Sequence, residues 1–249
     1  MPIYKIRQLE KVEVKMAKDV IIALDFPSGK IALDFLKKFE GESVYVKIGM
    51  ELFYKEGPSI VREIKKLGHK IFLDLKIHDI PNTCKGATNS LISLDVDMIN
   101  FHSAGGKKML SEASEIVSRE KPEMITLGVT MLTSTDEETM YDELQINKDK
   151  SLEDVVFSYA KLAQDANLSG IVCSALEVPK IKEKLGEDFI TVTPGIRKVK
   201  NNDDQKRVVT PSEARDLGSD YIVVGRPITK AEDPLKEYKE IKREFLGGK

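Results

Sequence analysis

The sequence predicts an α/β fold, a (β/α)8 TIM barrel built as a single domain with a short N-terminal extension. Three observations carry that expectation. Short, nearly continuous apolar runs rich in β-branched residues recur eight times, as strands covered on both faces should read. A longer stretch with helical periodicity follows each run, the pattern of repeated strand–helix units. The length of 249 residues suits one α/β barrel, which routinely takes ~200–250 residues as one domain. Pattern alone does not show closure, so an open doubly wound sheet stands as the other arrangement. Against it, neither GxGxxG nor GxxxxGK[ST] follows any strand, and the usual nucleotide fingerprints are missing.

In order, the expected strands are Val20–Leu24, Val44–Ile48, Lys70–Leu75, Met98–His102, Ile125–Thr130, Gly170–Cys173, Phe189–Thr193 and Tyr221–Val224. The helices between them carry their own start and stop signals. Gly68 follows the helix bearing Ile60, Ile64 and Leu67, where a C-terminal glycine belongs. Ser151-Leu152-Glu153-Asp154 opens a helix whose stripe is Val155, Val156, Tyr159, Leu162 and Ala163. Thr210-Pro211-Ser212-Glu213 supplies an N-cap, a proline at the first helical position and a capping-box glutamate. Asp233-Pro234 opens the last helix, with Leu235, Tyr238, Ile241 and Phe245 on one face. Residues 1–18 precede the first strand and form the extension; residues 19–249 form the barrel domain.

Composition narrows the function classes. The chain has 39 basic and 41 acidic side chains, a net charge of −2. That leaves no polybasic field for nucleic acid or an anionic membrane, so an anionic ligand must be met by a few local cations. Cys84 and Cys173 make neither a disulfide framework nor a CxxC zinc pair. The opening MPIYKIRQLEKVEVKMAKD lacks the apolar core of a signal peptide, and no apolar run approaches the ~18 residues of a membrane span. A cytoplasmic protein is expected.

Barrel active sites are built at the C-terminal ends of the strands. Those positions hold Asp25, Lys47, Asp74, Lys76, His102, Thr130 with Thr133, Ser174, Arg197 and Gly225-Arg226. Ends of buried strands seldom carry Lys or Asp unless they are paired. The densest cluster is Asp74-Leu75-Lys76-Ile77-His78-Asp79. Asp74 and Lys76 are two apart, so on a regular strand they face the same side, and Lys47 ends the neighbouring strand. Alternating lysines and aspartates hold one another ionised; a purely structural ion-pair network at the barrel rim is the competing reading. After the seventh and eighth strands, Pro194-Gly195-Ile196-Arg197 and Gly225-Arg226-Pro227-Ile228-Thr229 stand where this fold commonly holds phosphate. Tight turns with solvated arginines are the alternative there. His69, His78 and His102 are too scattered for a zinc triad; His102 is expected to orient a loop at the barrel mouth, and Cys173 to belong to the core.

These residues resemble the orotidine 5′-phosphate decarboxylase family, whose members form UMP. The resemblance runs from about Asp19 to the C-terminus. It rests on Ala23-Leu24-Asp25, Val46-Lys47-Ile48-Gly49, the run Asp74-Leu75-Lys76-Ile77-His78-Asp79-Ile80-Pro81-Asn82-Thr83, and Phe101-His102. It continues through Leu132-Thr133-Ser134, Pro194-Gly195-Ile196-Arg197, Gln205 and Val224-Gly225-Arg226-Pro227-Ile228. The N-terminal extension and the stretch near Tyr141–Lys150 depart from the pattern without touching these motifs.

The resemblance implies decarboxylation of orotidine 5′-monophosphate to UMP and CO2, with neither metal nor organic cofactor. It implies that Asp25 binds the ribose, Lys47 bridges ribose and the charged row, Asp74 faces the substrate carboxylate, and Lys76 donates the proton. Asp79 and Thr83 would reach the active site of the other subunit of a homodimer. Thr133, or Ser134 beside it, would contact the pyrimidine; Arg197, Gln205, Gly225 and Arg226 would hold the phosphate and a closing loop. Two other readings remain: a magnesium-dependent sugar-phosphate decarboxylase or aldolase of the same suprafamily, and a non-catalytic barrel that binds phosphorylated ligands.

Overall fold

In the computed structural model the described residues are 18–197 and 208–248. Eight parallel strands close on themselves in sequence order: β1 (Asp19–Ala23), β2 (Tyr45–Gly49), β3 (Lys70–Ile77), β4 (Met98–His102), β5 (Ile125–Val129), β6 (Gly170–Val172), β7 (Ile190–Thr193) and β8 (Tyr221–Val224). The expected barrel is thereby closed and the alternative open sheet excluded: β1 pairs with β8, Asp19 opposite Tyr221 and Ile22 opposite Val224. The strand ends differ from the apolar runs by a residue or two. The ladder outlasts the named strand at Leu24, whose N–H still donates to the Lys47 carbonyl at 2.9 Å. The third strand runs on to Ile77, past the point where its run stops being apolar.

Period-two alternation sorts the side chains of each strand into two cores. Ile21, Ala23, Tyr45, Phe72, Met98, Leu127, Val192 and Val223 pack together inside the barrel. Their intervening neighbours, among them Val20, Ile22, Val46, Ile48, Ile71, Leu73, Ile99 and Phe101, pack outward against the helices. Following the inward register upward leads from Ala23 to Asp25, from Tyr45 to Lys47 and from Phe72 to Asp74. The apolar plug below and the charged row above are therefore consecutive layers of one alternation.

The helix signals operate as read. Thr210 accepts from the Glu213 N–H while Glu213 caps in return, ahead of a helix over Pro211–Asp216. Ser151 caps Leu152–Asp165, Asp233 caps Pro234–Leu246, and Gly68 takes φ +83° behind the helix Pro58–Lys66. A helix over Glu137–Asp142 precedes the stretch that departs from the family pattern. Its Met140 joins Met131, Val155 and Val156 in a small separate cluster.

The opposite end of the barrel is fastened by a buried ion pair. The Lys182 ammonium donates to Asp220 at 2.5 Å and to the carbonyls of Glu187 and Phe189, both at 2.9 Å. Asp220 also accepts from the Thr191 N–H at 2.8 Å, so the charge is satisfied on several sides, as burial requires. We expect Asp220→Ala to lower unfolding stability by about 3–5 kcal/mol, because it strands a buried ammonium. Urea unfolding of parent and variant checks this, and a loss below about 1 kcal/mol, the scale of a surface pair, would contradict it.

Candidate active site

Above the apolar plug the barrel opens into a cavity of about 580 Å³. Its floor is Ala23, Phe72, Val129, Val172 and Val223, and its polar wall begins with Asp25, Lys47, Asp74 and Lys76. Thr133 and Ser134 enter from the segment after β5, Gly195 and Arg197 from that after β7, Gly225 and Arg226 from that after β8. Of the polar-wall residues named here, all but Gly195 are strand-end or neighbouring residues singled out for catalysis, ribose, pyrimidine or phosphate. Ser134 was named beside Thr133, and Gly195 within its motif.

The charged residues form a continuous row. Lys47 Nζ lies 3.0 Å from Asp25 Oδ1 and 3.4 Å from Asp74 Oδ2; Lys76 Nζ donates to Asp74 Oδ1 at 2.7 Å. Lys47 and Asp74 are only 12% exposed. Burial by itself would raise the Asp74 carboxyl, but the Lys47 and Lys76 ammoniums and hydrogen bonds from Lys76 and Asn100 outweigh it and hold it below the ordinary carboxylate range. Burial likewise works to lower Lys47, and Asp74 and Asp25 outweigh it, so its ammonium sits above the ordinary lysine range. Gly49 makes room for this row: a Cβ there would stand 3.1 Å from Lys47 Nζ and 3.4 Å from Asp25 Oδ1.

The local backbone corrects one expectation. Asp74 and Lys76 do not meet through regular strand alternation. Leu73 pairs with Ile99 and Ile77 with Phe101, so β3 carries two more residues than β4 across that span. Within the bulge Lys76 adopts φ +48°, a left-handed conformation that costs a non-glycine residue roughly 1–2 kcal/mol. Asn100, 1% exposed on β4, is bonded to both members of the pair: its Nδ2 donates to Asp74 Oδ1 at 2.7 Å, and its Oδ1 accepts from the Lys76 N–H at 2.8 Å. The sequence reading missed Asn100 as a site residue. The available signal was a lone amide in an otherwise apolar buried run, since a buried amide must be bonded.

Other strand-end residues serve the framework. Thr130 is one residue out of the inward register of Val129 and Met131, and its hydroxyl donates to the Val172 carbonyl. Ser174 and Glu177 form a capping box after β6. His102 accepts from the Ala104 N–H and stacks on His78, ring centroids 5.5 Å apart. Burial, with His78 and Lys76 nearby, keeps its imidazole below the ordinary range. Cys173 is buried as expected but also lines the cavity, as does Lys230, which the sequence reading did not include.

Asp79 and Thr83 are exposed and stand outside this chain's cavity wall. Asp79 Oδ1 accepts from the Ile80 N–H, and Ile80 between them is 67% exposed. On the phosphate side, Arg197 N–H donates to the Val209 carbonyl and Val209 N–H to the Gly195 carbonyl, at 3.0 and 3.2 Å. Gln205 and the segment Lys198–Asp204 lie outside the described residues, as do residues 1–17 of the extension. Among the described residues no helix is long and apolar enough to cross a membrane.

Known proteins are similar to this chain in sequence and in fold. The orotidine 5′-phosphate decarboxylase of Bacillus cytotoxicus is 55% identical over 237 residues, covering 93% of this chain and 99% of that protein. A crystal structure of orotidine 5′-phosphate decarboxylase from Lactobacillus acidophilus superposes with a TM-score of 0.82 at 38% identity, covering 92% of this chain and 99% of the other. An uncharacterized conserved protein from Geobacillus kaustophilus matches at 44% identity and TM-score 0.81, over 91% and 99% of the two chains. The family model described as orotidine 5′-phosphate decarboxylase / HUMPS family matches residues 18–241, and the chain belongs to that family.

Proposed function

We propose that the chain converts orotidine 5′-monophosphate to UMP and CO2 in pyrimidine biosynthesis, using the charged row as its catalytic machinery. The observation that carries this reading is an ammonium and a carboxylate, Lys76 and Asp74, held 2.7 Å apart above an apolar floor. In the reaction the bond from C6 to the carboxylate breaks and its electron pair stays on C6. The Lys76 ammonium stands where that charge develops, then transfers its proton to the carbon. The resulting amine recovers a proton from solvent. Asp74 holds the Lys76 ammonium in place at 2.7 Å and faces the departing carboxylate.

The rest of the cavity orients the nucleotide around that centre. Asp25 and Lys47 bind the ribose, and Thr133 or Ser134 the pyrimidine. Arg197, Gly225 and Arg226 receive the phosphate, together with Gln205 of the segment outside the described residues. A Cβ on Gly225 would meet only Ala23 and Asp25, at ordinary contact or beyond, so there is space beside the backbone for an anion to approach it. Phosphate binding is remote from C6 and can contribute to the transition state through positioning.

Two features favour this over the magnesium-dependent reading and over a mere binder. Lys47 Nζ occupies the space between Asp25 and Asp74, where a divalent ion would have to displace it, so the donor set does not fit a metal. A binding protein has no use for four charges maintained in a partly buried row. The exposed Asp79 and Thr83 support a homodimer in which each completes its partner's site. Nothing in the composition favours nucleic acid as a partner, and a cytoplasmic location fits the enzyme class.

Lys76→Ala should lower kcat by about 10²–10⁴-fold, the range for a positioned proton donor, while UMP binding by calorimetry stays measurable. Retained turnover would remove Lys76 from the reaction. Mixing inactive Lys76→Ala and Asp79→Ala proteins should restore activity to about a quarter of the parent value, from random exchange into two-chain assemblies with one intact site. No recovery from chains shown to exchange would place Asp79 outside the partner's site.

A further inference from the structure

We infer that Asn100 is a positioning residue for the decarboxylation, its carboxamide clamping the Asp74 carboxylate to the Lys76 backbone so that the proton-bearing ammonium is aimed by β4. The inference rests on the function proposed above. Regular pairing between β3 and β4 stops at Leu73 and resumes at Ile77, which deprives the bulge of ladder bonds where the reacting side chains are attached. Asn100 substitutes for the ladder there. Its Oδ1 takes the Lys76 N–H at 2.8 Å, and its Nδ2 reaches Asp74 Oδ1 at 2.7 Å. The same Asp74 oxygen receives the Lys76 ammonium at 2.7 Å.

One planar amide thus fixes both ends of the Asp74–Lys76 pair. It stabilises the left-handed backbone at Lys76 from one side and orients the carboxylate from the other. Asp74 then has defined donors on both oxygens, with Lys47 on Oδ2 and Asn100 and Lys76 on Oδ1. The amide itself is buried: it is 1% exposed on the inner face of β4, with Leu127 of β5 paired opposite. The charged groups around it are Asp74 and Lys76 on β3 and, one carboxylate away, Lys47 on β2; His102 follows two residues on along its own strand. Losing the clamp frees the bulge to relax and moves the ammonium relative to C6, while Asn100 itself makes none of the ribose and phosphate contacts assigned to Asp25, Lys47, Arg197, Gly225 and Arg226.

Two variants test this against a purely structural role. Asn100→Ala should lower kcat about a hundredfold, the cost of a ~1 Å misplacement, with KM and UMP affinity changed less than about tenfold, the signature of an interaction felt mainly in the transition state. Asn100→Asp keeps the shape and the acceptor for the Lys76 N–H but, when ionised, sets a carboxylate against Asp74. Burial and a like charge raise the pKa of the introduced carboxyl, so lowering the pH restores a neutral donor. Its kcat relative to the parent should therefore climb between about pH 8 and about pH 6, by up to about tenfold per pH unit. If Asn100→Ala fails to fold, the isosteric Asn100→Asp carries the test alone. A pH-independent ratio, or variants within about twofold of the parent kcat, overturns the inference while parent turnover leaves the function standing; a parent that does not turn over orotidine 5′-monophosphate overturns the function itself.

Discussion

The carboxylate of Asp74 is the point on which the upper half of the barrel turns. A carboxylate 12% exposed survives ionised only if the favourable neighbours outweigh its lost hydration. Here two ammoniums and one amide do so, with the nearest donors at 2.7 Å. Each partner constrains another part of the fold. Lys47, opposite Phe72 in the ladder, must reach up from β2 to Asp74, Asp25 must balance Lys47 from the end of β1, and β3 must bulge so that Lys76 can turn back. Gly49 must stay small enough to leave room for the row.

That arrangement is affordable because the lower half of the barrel is ordinary. The interior plug of Ile21, Tyr45, Phe72, Met98, Leu127 and Val192 is buried and packed, and the helices cover the outer faces of the strands. The buried Lys182–Asp220 pair ties the start of β8 to that of β7 at the far end. Stability and chemistry are thereby segregated along the barrel axis, the division expected of this architecture. Among the described residues four non-glycines take positive φ; Asp95, Gln145 and Asn167 do so between elements, whereas Lys76 does so inside the site, where pre-organisation has a use.

Much of this was legible in the sequence, for identifiable reasons. A strand covered on both faces must be apolar along its length, so the eight runs located the strands to within a residue or two. Polar residues ending such runs then marked the mouth, which is how Asp25, Lys47, Asp74 and Lys76 could be grouped. The bulge was not legible, because nothing in Asp74-Leu75-Lys76 signals a positive φ; the conformation is imposed by β4 and by the charge partners. Thr130 misled because strand-end position does not reveal inward register, whereas Ser174 carried its own explanation in the Ser-x-x-Glu spacing of a capping box. Asn100 was visible as an amide in a buried run, but its two partners are set by tertiary contact alone. The proposed chain pairing around Asp79 and Thr83 entered through family resemblance alone, because one chain shows only that both residues are exposed.

The most direct measurement is the ultraviolet absorbance of orotidine 5′-monophosphate on adding purified protein, with and without EDTA. Rapid conversion to UMP, unchanged by the chelator, is the expected result and follows from Lys47 filling the space between Asp25 and Asp74. No conversion by folded protein would contradict the assignment of the substrate. Conversion abolished by EDTA would contradict the claim that the lysine–aspartate row works without a metal.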